Sequence, residues 1–167
     1  MVSPRTQGGF TLIELVVVMA LTAVMMGLAL PSFRNLMEDE TRRSSQWMLL
    51  QIPRLKAAAV SEGKTQVLHV DLDHNRLWVS RVGMSPEELS RAETQGLALS
   101  DACRLTGVVL DDGSTTDSGD VPIYFYPKGY SSRAIVHMEG DGSRRSLIVE
   151  PFLNQAEMKE SYVLFEG

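Results

Sequence analysis

The chain has 167 residues, a formal net charge of −5 and one cysteine, Cys103. With the apolar N-terminal stretch set aside, roughly 130 residues remain, enough for one compact domain. The acidic balance argues against a polyanion-binding module, and a lone cysteine excludes an intramolecular disulfide and a multi-cysteine metal site, leaving Cys103 as a small buried apolar residue.

Residues 1–9 carry a single charge, Arg5, and end in Gly8-Gly9. Phe10-Thr11-Leu12-Ile13-Glu14 then opens an apolar run that reaches Leu30. A helix over residues 10–30 covers roughly 31 Å, about the thickness of a bilayer's hydrocarbon core, so the segment is expected to span a membrane. Its one ionisable side chain is Glu14. A carboxylate at membrane depth costs on the order of 2.5 to 3.5 kcal/mol by insertion scales and calls for a partner. A removable secretory signal shares the basic start, and Gly27 and Ala29 would suit its cleavage site. Such signals, however, have apolar regions of about 7–15 residues, uninterrupted by an acid. A plain signal anchor accounts for the length but leaves Gly8-Gly9 and Glu14 without a role. Arg5 places the leader in the cytoplasm, although Arg34, Arg42 and Arg43 beyond the span weaken the charge count.

After Pro31 the chain becomes amphipathic. Phe33, Leu36, Met37, Trp47, Met48, Leu50, Leu55, Ala58 and Ala59 recur among polar residues and predict continued helix to about Glu62, stopped by Gly63. Pro31 and Pro53 each remove a backbone donor and are expected to bend it. The apolar stripe is expected to pack on the sheet that follows. Residues 65–72 and 76–82 alternate on either side of Asp73-His74-Asn75 and predict a hairpin. Residues 85–93 predict a short helix capped by Ser85, with Pro86 in the first helical position and acids in the first turn. Residues 111–120 read as a loop. Strands are expected at 121–126, 133–138, 144–150 and 161–165, with Glu139-Gly140-Asp141-Gly142 as a turn.

The residues Gly9-Phe10-Thr11-Leu12-Ile13-Glu14 resemble the class III signal of type IV pilins and type II secretion pseudopilins. The resemblance implies that a prepilin peptidase cuts after Gly9 on the cytoplasmic face and methylates the new terminus at Phe10. Glycine suits the cut because, lacking Cβ, it lets the backbone lie close to a protease. Glu14 matches the family's assembly carboxylate, and Pro31 falls where the family commonly has a proline. Tyr124-Phe125-Tyr126-Pro127-Lys128-Gly129, followed by the strand Ser146-Leu147-Ile148-Val149-Glu150-Pro151, is similar to the end of H-type minor pseudopilins. The chain departs from that pattern after Pro151, where Phe152-Leu153-Asn154 replaces the usual glycine; residues 64–120 match only loosely.

The resemblance implies an α+β, pilin-like fold, a long N-terminal helix packed on antiparallel β-sheets. Its parts would be a leader at 1–9, a helix at 10–62 and a β-rich periplasmic domain at 63–167. It further implies a minor pseudopilin of a type II secretion system, single-pass in the bacterial inner membrane, with its C-terminal domain in the periplasm. The implied partners are the peptidase, the major and other minor pseudopilins, the assembly platform, and an exported substrate or the outer-membrane channel. The competing expectation is a minor type IV pilin acting in pilus biogenesis or DNA uptake, with Arg144 and Arg145, helped by Arg133 and Lys128 beside Tyr130, as a nucleic-acid contact. Against it, adjacent arginines on a strand point to opposite faces.

No enzyme, cofactor or metal is expected. Asp71-Leu72-Asp73-His74-Asn75 starts like a calcium loop, but Arg76 stands at its glycine position and Val82 at its final acid position, which leaves a hairpin turn. Asp111, Asp112, Asp117 and Asp120 crowd one loop, as solvated acids commonly do. His69, His74 and His137 have no ligand spacing, and there is no G-x-S-x-G elbow or phosphate-binding glycine loop.

Overall fold

The computed structural model describes residues 12–100, 103–140 and 142–165, with the backbone alone given for 27–43. The chain divides into two compact units, Met1–Leu36 and Met37–Gly167. The fold is α+β, one long helix with antiparallel sheets. Helix α1 (Leu12–Glu62) ends where the sequence places its stop, at Gly63, whose φ of 62° lies in the left-handed region that glycine tolerates. The side chains of Phe33, Leu36, Met37 and Pro31 lie outside the described residues.

Within the second unit α1 presents Met48, Ile52, Leu55 and Ala59, all at most 4 % exposed, to the core. Their spacing of four, three and four residues makes one helical stripe. Leu50 falls off that stripe and is exposed, contrary to expectation, whereas Ile52 is on it. Each large side chain so buried contributes about 1.5–3 kcal/mol.

The expected hairpin forms from β1 (Gln66–Asp71) and β2 (Arg76–Arg81), in register from Gln66↔Arg81 to Asp71↔Arg76. The backbone N–H of His74 donates to the Asp71 carboxylate at 3.1 Å, and Asn75 takes φ 49°, a conformation asparagine accepts more readily than most residues. From there the Asn75 amide donates to the Cys103 carbonyl at 2.9 Å, and its oxygen accepts from Leu105 N–H at 2.9 Å. The short helix α2 (Pro86–Thr94) has the Ser85 cap, reinforced by Glu88 as a capping box.

The first sheet runs β3-β2-β1-β6, where β3 is Leu97–Ala98 and β6 is Asp120–Phe125. The second runs β5-β4-β7-β8-β9, with β4 at Arg104–Leu110, β5 at Thr115–Thr116, β7 at Ala134–Gly140, β8 at Ser143–Val149 and β9 at Glu157–Lys159. Leu68, Val70, Ile123 and Phe125 from the first sheet meet Val108, Val136, Met138 and Leu147 from the second in one core with the α1 stripe. Cys103 is buried in the same cluster.

Two further expectations are corrected. Residues 161–165 are not a strand; the terminal strand is β9, and 161–165 lie beyond it. Residues 111–120 are not loop throughout, because Thr115–Thr116 pairs with β4 and Asp120 opens β6.

Candidate functional site

Gly9 and Phe10, the expected cleavage and methylation positions, lie outside the described residues. Glu14 is in the first turn of α1 and exposed, an end of the helix where the dipole favours negative charge. Around it Leu12, Ile13, Leu15, Val16, Val17, Val18 and Met19 are 50 to 84 % exposed, and Leu21, Val24, Met25 and Met26 are as bare. Thr22 is satisfied within the helix, its hydroxyl donating to Val18 O at 2.9 Å and Met19 O at 3.0 Å. Glu14 is thus the polar group of this stretch whose needs the helix does not meet. Bare apolar surface of this extent marks an interaction site. Among the described residues no helix is long and apolar enough to cross a membrane; the described side chains of this run end at Met26, about 22 Å of helix.

Lys56 is a residue that sequence reasoning missed. It is 5 % exposed, and its ammonium donates to the carbonyls of Glu150 at 2.8 Å, Pro151 at 3.0 Å and Leu153. Burial pushes its pKa down, and the Glu150 carboxylate partly restores it. The available signal was its position: four residues after Ile52 and three before Ala59, Lys56 falls on the buried stripe. Beside it a groove of about 510 Å³ is lined by Pro53, Ala57, Val60, Gly129 and Asn154.

Three strands place Asp120, His69 and Ser80 in a row. The His69 ring meets Asp120 Oδ2 through Nδ1 at 2.6 Å and Ser80 Oγ through Nε2 at 2.8 Å, and it stacks on Trp78 at 3.6 Å. Carboxylate, imidazole and hydroxyl stand in the order of a nucleophilic triad, an arrangement the sequence alone could not reveal. Ser80 is 4 % exposed, so its hydroxyl offers an acyl group no approach, and the row serves to satisfy cross-strand polar groups. His74 pairs with Asp71 at 2.8 Å. His137 lies apart, stacked on Tyr162 at 3.8 Å with Nδ1 3.0 Å from Ser146 Oγ.

Residues 4–30 match the prokaryotic N-terminal methylation motif. The chain carries the type IV pilin signal. No curated protein matches it. Among solved structures, a crystal structure of the minor pseudopilin EpsH from the type II secretion system of Vibrio cholerae is similar, with a TM-score of 0.49 and 15 % identity over 68 % of this chain and 95 % of that chain. A second structure of EpsH from the same system of Vibrio cholerae has a TM-score of 0.49 and 14 % identity over 67 % and 96 %.

Away from the pilin signal, Arg133, Arg144, Arg145 and Lys128 do not gather into one patch. Arg133 pairs with Glu150 at 3.2 Å, and its guanidinium lies 4.1 Å over the Phe165 ring. Arg144, opposite Glu139 at the other end of the β7–β8 hairpin, is 3.9 Å from that carboxylate. At about 3.4 Å per residue the two arginines are roughly 20 Å apart. Arg145, opposite Met138, is half-buried, and Lys128 is exposed in the turn after β6. The acids of residues 111–120 are also engaged separately: Ser114 holds the Asp112 carboxyl below its ordinary range through its side chain and its amide, and Asp120 pairs with His69. No group of three or more His, Cys, Asp or Glu among the described residues could hold a metal ion.

Proposed function

We propose that this chain is a minor pseudopilin of the H type: cut after Gly9, methylated at Phe10, and held in the bacterial inner membrane through residues 10–30 with its β-rich domain in the periplasm. The observation that carries the reading is the overlap of the methylation motif at residues 4–30 with a helix whose described side chains from Leu12 to Met26 are exposed and, Glu14 and Thr22 apart, apolar. The role is structural and non-enzymatic. The subunit joins the major and other minor pseudopilins on the assembly platform, in a short filament whose growth pushes exported proteins toward the outer-membrane channel.

Glu14 sets the register of that assembly. Cleavage leaves a positive amine at Phe10, about one helical turn from the carboxylate. When subunits stack, the carboxylate of one meets the amine of its neighbour, which offsets the burial of both charges in an apolar bundle. Mass spectrometry of the mature terminus is expected to find N-methylphenylalanine at residue 10; a chain still beginning at Met1 overturns the reading. A Glu14→Ala chain is expected to insert and be processed yet stay out of the filament, and its normal incorporation refutes the role given to the carboxylate.

A further inference from the structure

Residues 161–165, beyond β9, lie as a strap over the outer face of the second sheet. Val163 and Phe165 cover Val109, Ile135 and Ile148, which are at most 8 % exposed beneath them. Tyr162 stacks on His137. The strap's polar hold is the Ser146 side chain, which donates to the Ser161 carbonyl at 2.6 Å and accepts from the Val163 N–H at 3.2 Å. The strap adds no strand to the sheet; besides this hold it has its apolar packing, the Tyr162 stack and the Arg133 guanidinium over the Phe165 ring.

This bonding fixes the hydrogen on His137. The Ser146 hydroxyl proton is committed to the Ser161 carbonyl, so its oxygen can only accept from His137 Nδ1, which must carry a hydrogen. In the neutral ring Nε2 is then a bare lone pair, buried and without a hydrogen-bond partner among the described residues. His137 is 1 % exposed.

Charged groups of both signs flank this face. Glu139, two residues along β7, faces Arg144 of β8, with Arg104 of β4 opposite it. On β9, Lys159 lies opposite Ser146 and pairs with Glu157 at 3.7 Å. The strap itself brings Tyr162. None of these gives Nε2 an acceptor, and a cavity of about 230 Å³ bordered by Thr106, Glu139, Arg144 and Tyr162 adjoins the strap.

We propose that His137 is a proton-operated latch: its neutral ring holds residues 161–165 closed, and protonation at Nε2 releases them and uncovers Val109, Ile135 and Ile148. Burial pushes the His137 pKa down in the closed form. The opened ring returns to the ordinary value of about 6.5. The open form therefore binds the proton better. Closure is undiminished above about pH 6.5 and weakens as the pH falls below it. Between about pH 7.5 and about pH 5.5 the open form gains several-fold, with about tenfold as the ceiling set by the open ring alone. The inference stands apart from the filament reading.

Hydrogen exchange by mass spectrometry on the full chain in detergent tests it, with the β1–β2 hairpin as internal reference. After correction for intrinsic exchange, peptides covering 157–165 are expected to lose several-fold, at most about tenfold, in protection between those two pH values while the hairpin holds. His137→Asn keeps a donor for Ser146 without a titrating ring, and its strap is expected to stay protected at both. Unchanged wild-type protection, or an equal loss in a closed His137→Asn chain, overturns the proposal. Should His137→Asn be open even at the higher pH, the wild-type imidazole titration followed by NMR decides. Strap opening that tracks the His137 signal supports the latch, and opening displaced from it by more than about one pH unit refutes it.

Discussion

Lys56→Met keeps the aliphatic stem of the side chain and removes its ammonium. The native ammonium donates to three carbonyls, those of Glu150, Pro151 and Leu153. Hydrogen bonds from a charged donor are worth about 1.5–3 kcal/mol each. Against them stands the desolvation of the ammonium, several kcal/mol in effect, which is the same burial that lowers the Lys56 pKa. The groove beside the site admits water to the abandoned carbonyls and softens the loss. The balance is a destabilisation of about 2–4 kcal/mol. Equilibrium urea unfolding of the full chain in detergent, followed by the fluorescence of Trp47 and Trp78, measures it as a lower midpoint at unchanged slope. A loss under about 0.5 kcal/mol, or a gain, refutes the reasoning, because desolvation would then equal or outweigh the three bonds.

Asn75→Ala is expected to cost about 2–4 kcal/mol in the same assay, since it strains a positive φ and strands the Leu105 N–H and the Cys103 carbonyl. Asn75→Gly is expected to recover only the backbone part. Gly96→Ala is expected to destabilise by about 1–3 kcal/mol, because a Cβ there would stand 2.7 Å from Trp78 Cβ and 2.8 Å from the Leu77 carbonyl. Ser85→Ala is expected to cost about 1 kcal/mol through the lost cap, read as faster hydrogen exchange in α2 with the sheets unaffected. With Arg133 and Arg144 each paired to an acid, the full chain is expected to give no salt-sensitive gel shift with DNA, and a shift at low salt that vanishes in an Arg144→Ala, Arg145→Ala chain would revive the nucleic-acid reading.

The elements legible in the sequence are those whose signals are local. The end of α1 at Gly63, the hairpin around Asn75 and the Ser85-Pro86 helix start each rest on a few adjacent residues whose backbone demands are specific. Strand β4 was missed because it is buried on both faces, Val108 against the core and Val109 beneath the strap, and carries an irregularity between Leu105 and Gly107. Both features erase the alternation that reveals a strand. Residues 161–165 have the apolar content of a strand, yet the Ser161 carbonyl and the Val163 N–H are taken by one side chain instead of a neighbouring backbone. The Asp120–His69–Ser80 row and the Lys56 cradle join residues distant in sequence, which no spacing rule can foresee.

The cradle around Lys56 joins positions 94 to 97 residues apart. A contact of this span has to wait until the second of its two segments has been made, and its loop-closure cost grows slowly with length. A chain emerging from its N-terminal end therefore carries this helical lysine solvated and uncommitted until β8 and the residues after it have been delivered. The domain's final seal is set by its last third, and a truncation near residue 149 would leave a helix with a charge on its core-facing side and nothing to receive it.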